Sequence, residues 1–236
     1  MIQRLVLFDV DGTLLDAGGS GRWALSRAFE EVFGIADAEP FTRQVAFDGM
    51  TDPEIHAAIA RNASLSESRV RGSSSELQRS FLSHLERRLS GAVARRALPG
   101  VVDLLDGLAG VNGAAVGLAT GNIEAGARLK LASVGLAERF DLGGFGGDAP
   151  DRAGIGRVAR ERFETASGEP IDPRAVILVG DSVQDVLAAR ANGYRSLAVG
   201  TGWTPPERLK AQEPDLYLDD LGDYGGVMRF LFGSRG

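Results

Sequence analysis

Asp9 and Asp11 stand two residues apart directly after the apolar run Leu5-Val6-Leu7-Phe8, and Asp181 and Asp185 stand four apart just after the apolar run Ala175 to Val179. Alternate residues of an extended chain project to one side, so the first pair can face a single reaction centre while Gly12 lets the backbone turn away. Residues four apart share one side of a first helical turn, where like charges repel unless a cation lies between them. Each pair has an ordinary explanation alone. The first suits an Asp-Gly turn, and the second suits a capping box between Ser182 and Asp185 at a helix start that favours negative charge. Neither explains why both acidic pairs follow buried strands. A hard cation does, and magnesium, with its preference for oxygen ligands, is the ion this set suits. A third strand, Val116 to Ala119, ends in Thr120-Gly121-Asn122. A hydroxyl and backbone N–H groups at a helix start can receive an oxyanion, although the same residues also make a plain N-cap.

Other chemistries lack the residues they need. The chain has no cysteine, which removes disulfides, thiolate nucleophiles and cysteine metal sites. His56 and His84 are the two histidines, and neither lies in a zinc or Ser-His-Asp motif. Neither Lys130 nor Lys210 follows a glycine, so there is no P-loop. A formal net charge of −6 argues against nucleic acid or an anionic membrane surface as partner. No apolar run approaches the roughly 18 residues of a membrane span, and no signal-peptide pattern opens the chain, so a cytoplasmic protein is expected. A length of 236 residues allows one large domain or two smaller ones.

The carboxylates need a sheet to gather them. After Asp16 the small residues Ala17 to Gly21 read as a hinge, and helical spacing follows from Trp23 to Phe33, stopped by Gly34. Thr51 with Glu54 makes a capping box for a second helix carrying His56, a packed or surface residue, and Leu77, Phe81, Leu85 and Leu89 mark another helix. No strand pattern falls between Asp16 and Leu98, so residues 17–98 read as an inserted helical cap on a core of residues 1–16 and 99–236. From Val101 helices and strands alternate. Strands are expected at 114–119, 140–145, 175–179, 196–199 and 216–218, and helices at 101–108, 123–134, 155–165, 183–191 and 205–211. That order predicts an α/β fold, a doubly wound parallel Rossmann-like sheet, with its site along one edge.

Asp9-Val10-Asp11-Gly12-Thr13, then Thr120-Gly121-Asn122, then Gly180-Asp181-Ser182-Val183-Gln184-Asp185 resemble, in order and placement, the motifs of the haloacid dehalogenase superfamily. The likeness runs over the whole chain, and the helical insertion is similar to that family's first-position cap. The resemblance implies that Asp9 is the nucleophile and a metal ligand, and that Asp11 is the acid/base and binds metal through its carbonyl. It further implies that Thr120, with Gly121 and Asn122 beside it, holds the phosphoryl group, and that Asp181 and Asp185 complete a Mg2+ site. The chain departs from the family at the lysine usually found before the last motif. Arg152, after the weak 140–145 strand, is expected to replace it, because a permanently charged fork grips phosphate and need not transfer a proton. Lys130, about 12 Å along its helix from Asn122 at about 1.5 Å per residue, is the other candidate and reads as a solvated helix residue.

Phe47 to Asp52 is similar to the cap loop of the phosphoglycolate phosphatase-like branch, which makes the expected activity magnesium-dependent hydrolysis of a small phosphorylated metabolite through an aspartyl-phosphate. Arg22 and Thr51 are the expected cap contacts to substrate. A beta-phosphoglucomutase-like phosphotransferase is the near alternative, and a receiver-like phosphoacceptor module is the alternative from another class. The protein is expected to be a monomer or homodimer.

Overall fold

The computed structural model describes residues 3–233. The chain opens with β1 (Arg4–Phe8) and the short β2 (Leu15–Asp16), and then runs through α1 (Ser20–Phe33), α2 (Glu39–Arg43), α3 (Asp52–Asn62), α4 (Glu67–Gly72) and α5 (Ser74–Ser90). It returns through β3 (Arg96–Ala97) to α6 (Val101–Ala109), β4 (Ala114–Ala119), α7 (Glu124–Ala132), β5 (Gly143–Gly144) and α8 (Arg152–Ser167). The remainder is β6 (Val176–Gly180), α9 (Val183–Ala191), β7 (Arg195–Val199), α10 (Pro206–Lys210), β8 (Leu216–Leu218) and α11 (Tyr224–Phe232).

Six strands form one parallel sheet in the order β5-β4-β1-β6-β7-β8. The side-chain alternation of β1 decides which helices cover which face. Leu5 and Leu7 join Ile155, Ala159 and Phe163 of α8 and Ala188 and Ala189 of α9, whereas Val6 and Phe8 join Leu104, Leu105 and Leu108 of α6 and Leu131 of α7. Both faces are thus dry, as the unbroken apolar runs require. Each fully buried Leu or Phe of β1 contributes roughly 1.5–3 kcal/mol relative to leaving it in water.

Register then gathers the site. Phe8 pairs with Leu118 on one side and Val179 on the other, so the residue after Phe8 and the second residues after Leu118 and Val179 emerge together at the same sheet edge. Those residues are Asp9, Thr120 and Asp181.

In the insertion, α1 and α5 pack through Ala24, Leu25, Ala28, Phe29 and Phe33 against Leu77, Phe81, Leu85 and Leu89, each set at helical spacing. Gly34 ends α1 in the left-handed region at φ 68°, where a side chain would be strained. Thr51 and Glu54 form the capping box of α3. The His56 ring stands edge-on between Phe29 and Phe81, with centroids 6.5 and 6.3 Å away. β2 and β3 pair antiparallel, so the two crossings between sheet and insertion run side by side.

Several elements differ from expectation, among them β3, a two-residue strand where none was expected, and α2. The strand expected over 140–145 shrinks to Gly143–Gly144, because Phe140 and Phe145 turn into the core while Arg128 holds the Phe140 carbonyl off the ladder. Helix α8 begins at Arg152 rather than 155, since Asp151 caps it by accepting the Gly154 N–H at 2.6 Å. Helix α11 was not anticipated. Its Gly225-Gly226 start hides an apolar face, Val227 and Leu231, which Asp223 initiates by accepting the Gly226 N–H. Among the described residues, no helix is long and apolar enough to cross a membrane.

Candidate active site

Asp9, Asp181 and Asp185 form a single acidic cluster, with one carboxylate oxygen from each within 4.8 Å of the others. Backbone space is cleared for it at three glycines, Gly180 beside Asp185 being one. A Cβ at Gly12 or at Gly202, in the loop after β7, would overlap the Asp181 carboxylate. Thr13 donates to Asp181 Oδ1 at 3.0 Å. Burial pushes Asp9 up to about 6, opposed by Arg152 and reinforced by Asp185 and Asp11. Burial also holds Asp181 well above the usual carboxylate range, with Asp9 and Asp185 adding repulsion. Three crowded oxygen-only ligands, with Asp9 and Asp181 held up by burial and mutual repulsion, are what a hard divalent cation would relieve, so the residues fit magnesium.

Arg152 is the cation inside this cluster. From the first turn of α8 its guanidinium reaches Asp9 Oδ1 at 2.7 Å and Asp185 Oδ1 at 2.7 Å, and it is 7% exposed. Burial alone would lower its pKa, but Asp185 and Asp9 outweigh that and raise it. The other Asp185 oxygen accepts from the Ser182 N–H at 3.1 Å and hydroxyl at 2.7 Å. The Ser182–Asp185 capping box and the acidic cluster therefore share one residue, and Asp185 has fewer lone pairs to spare than Asp181.

Asp11 belongs to a second network. Its Oδ2 accepts from Lys130 Nζ at 2.6 Å and from Asn122 Nδ2 at 2.9 Å. Lys130 also donates to Asn122 Oδ1 at 2.6 Å, and Asn122 donates to the Thr120 hydroxyl at 2.8 Å. The solvated reading of Lys130 is corrected here: it is 5% exposed, and although burial works against its charge, Asp11 and Asp52 outweigh burial and raise its pKa. The expected distance failed because Asn122 lies outside the helix. Helix α7 starts at Glu124, so Lys130 rises only about 9 Å along it, and a lysine side chain leans back toward the N-terminus. The Asp11 carboxylate itself stands outside the acidic cluster.

The helical insertion closes over this edge. Asp52, at the start of α3, accepts the Ile123 N–H at 2.8 Å and donates its own N–H to the Gly121 carbonyl at 2.8 Å. Burial pushes the Asp52 carboxyl up to about 6, with Lys130 and the Ile123 N–H opposing. Thr204 donates to Asp48 Oδ2 at 2.5 Å, a second link between the insertion and the core. Together they roof a cavity of about 750 Å3 lined by Asp9, Asp11, Thr120, Gly121, Asn122, Lys130, Arg152 and Asp181 at its sheet end.

The two expected cap contacts are placed differently. Arg22 lines the cavity, but its guanidinium donates to the carbonyls of Thr42 and Val45 and lies over the Phe47 ring, 3.8 Å from its centroid. Its two terminal nitrogens hold the loop before α3. Thr51 does not line the cavity, and its hydroxyl is spent on Glu54 Oε2 at 2.9 Å. A capping-box threonine has no hydroxyl to spare, which the Thr51–Glu54 spacing already implied. Asp48, Asp52 and Trp203 were missed. Asp52 carried the one available signal, as an N1 acid next to a loop of the cap; Trp203 carried none.

The sequence matches the haloacid dehalogenase-like hydrolases over residues 6–190. It is similar to a phosphoglycolate phosphatase of Agrobacterium fabrum, 29% identical over 93% of this chain and 90% of that protein. It is also similar to a probable phosphatase, IndB, of Dickeya dadantii, 27% identical over 98% of this chain and 95% of that protein. The fold is that of CbbY from Rhodobacter sphaeroides, solved in complex with phosphate, with a TM-score of 0.72 at 21% identity over 95% of this chain and 97% of that one. The family match spans both acidic strand ends and the loop that joins Thr120 to Asn122, and the chain belongs to the haloacid dehalogenase-like hydrolase family.

Proposed function

We propose that the protein hydrolyses the phosphate monoester of a small metabolite through an aspartyl-phosphate on Asp9, with magnesium at the Asp9, Asp181 and Asp185 cluster. The separation of the two aspartates carries this reading. Asp9 lies among anions with Arg152, whereas Asp11, two residues on, is held by Lys130 and Asn122 in a different network. Magnesium, when bound, supplies positive charge against the phosphoryl oxygens.

The chain's own residues do the rest. An Asp9 oxygen attacks phosphorus in line, and the bond from phosphorus to the ester oxygen breaks. Asp11, as the acid, gives its proton to that leaving oxygen. Both donors on Asp11 go to Oδ2, which fixes the carboxyl and leaves Oδ1 to carry the proton. Water then attacks phosphorus, Asp11 as the carboxylate takes the water's proton, and the Asp9–phosphorus bond breaks to release inorganic phosphate. Thr120 and the backbone after it receive the phosphoryl oxygens, while Arg152 balances charge at Asp9. Asp52 and Asp48 hold the insertion shut over the reaction, excluding water that has not been positioned.

The test is phosphate release from a panel of phosphomonoesters with magnesium, alongside Asp9→Asn. The variant keeps volume but removes the nucleophile, so turnover should vanish and no phosphoenzyme should be trapped. Wild-type-like turnover in Asp9→Asn ends the covalent reading.

A further inference from the structure

We infer that the leaving group of the substrate is uncharged and carries an apolar, ring-sized face, so that the phosphoryl group is the substrate's only anion. This rests on the phosphomonoesterase reading above and concerns the half of the substrate that Asp9 does not touch. A cavity of about 750 Å3 is the size that encloses a ligand of many atoms, far beyond a phosphate on a two-carbon stub. Away from its sheet end the walls include the apolar Leu25, Phe47, Met50, Ile55, Phe81 and Trp203. Trp203 is 65% exposed, so its indole offers an open face at the core side of the rim. A flat group can stack there, and aromatic stacking adds about 0.5–1.5 kcal/mol beyond burial.

Charge argues against a second anion. Four cationic side chains line the cavity, and each has partners of its own. Lys130 and Arg152 serve Asp11 and Asp9, Arg22 holds the Thr42 and Val45 carbonyls, and the exposed Arg43 pairs with Glu39. Facing the same space are Asp16, Asp48 and Asp52. A carboxylate or second phosphate on the leaving group would lose its water, meet these acids and gain no uncommitted cation. An uncharged ring loses nothing of that kind and buries its area against apolar walls.

The full chain with magnesium should release phosphate from benzyl phosphate with kcat/KM at least about tenfold above that for 2-phosphoglycolate, the order that pocket contacts of this kind give. Calorimetry should show the same order without turnover, with benzylphosphonate binding more tightly than phosphonoacetate. Trp203→Ala should shrink the difference from the aromatic side. Gln44→Arg, an exposed lining position given an uncommitted cation, should shrink it by improving 2-phosphoglycolate. Equal or better use and binding of the carboxylate ligands by the wild type overturns the inference and leaves the hydrolase reading standing. Release from neither ester, nor from acetyl phosphate, overturns the hydrolase reading and this inference with it.

Discussion

Lys130 Nζ lies 2.6 Å from Asp11 Oδ2, while on the other side of the site Arg152 serves Asp9, so each proposed catalytic carboxylate has its own buried cation. The two cations are therefore not substitutes for one another. Lys130→Ala and Arg152→Ala should each lower kcat on the order of a hundredfold, the usual loss when a transition-state charge contact is removed. Arg152→Lys should recover only part, because a single ammonium cannot bridge Asp9 and Asp185 as a guanidinium fork does. Steady-state kinetics decide the matter, and near-normal turnover in either alanine variant refutes its role.

EDTA should inactivate the enzyme and magnesium restore it, since the ligands are all oxygen. The crowding of Asp9, Asp181 and Asp185 has a separate consequence for stability. Without metal, Asp181→Asn should unfold no earlier than the wild type, because it relieves repulsion, yet it should lose the rise in Tm that magnesium gives the wild type. A wild-type Tm indifferent to magnesium would remove the proposed ion from this cluster.

Thr51→Ala should act on stability alone. Loss of an N-cap hydroxyl costs about 1 kcal/mol, and Thr51 does not line the cavity, so substrate preference should not change. Thr204→Val should do the opposite, leaving Tm nearly unchanged but raising KM severalfold by removing one link that holds the insertion down. An altered substrate preference in Thr51→Ala would return that residue to the site.

His56 should make the helical insertion acid-sensitive. Burial among Phe29 and Phe81 pushes its pKa down to about 4 from 6.5, and its Nε2 has no hydrogen-bond partner among the described residues. Between those values the unfolded chain holds the proton that the folded chain refuses, so stability is full above pH 6.5 and falls as pH drops toward 4. The loss is on the order of 3 kcal/mol. Urea titrations at several pH values should show it, and His56→Phe should flatten that dependence; an unchanged slope in the variant would assign the effect elsewhere.

The sheet and its acidic edge were legible because local pattern and global role coincide there. Leu5 to Phe8 and Val176 to Val179 are buried on both faces, and a carboxylate placed directly after such a run has nowhere to go but the sheet edge. Arg152 could be found for the same reason, as a first-turn residue beside that edge. What escaped depends on where one lobe touches the other. Lys130 looks like any amphipathic helix cation until α7 is seen to start two residues past Asn122, and Asp52 looks like a first-turn acid until the Ile123 N–H is found against it. Arg22 lines the cavity as expected but is also bonded to the loop before α3, and Thr51 is spent on its capping box. The Thr42 and Val45 carbonyls claim Arg22 and the capping box claims Thr51, and for a long flexible side chain no spacing pattern reveals such distant partners.

Gly202 and Trp203 are chain neighbours with opposite tolerances. At Gly202 the Asp181 carboxylate leaves room for a hydrogen and nothing larger, whereas Trp203 projects into open space at the rim. Random mutagenesis of this loop, selected for new substrates, should therefore recover many residue types at 203 and none but glycine at 202. The enzyme's capacity to diversify and its intolerance of change sit one peptide bond apart, so a change of substrate range can be tried here without redesigning the metal cluster.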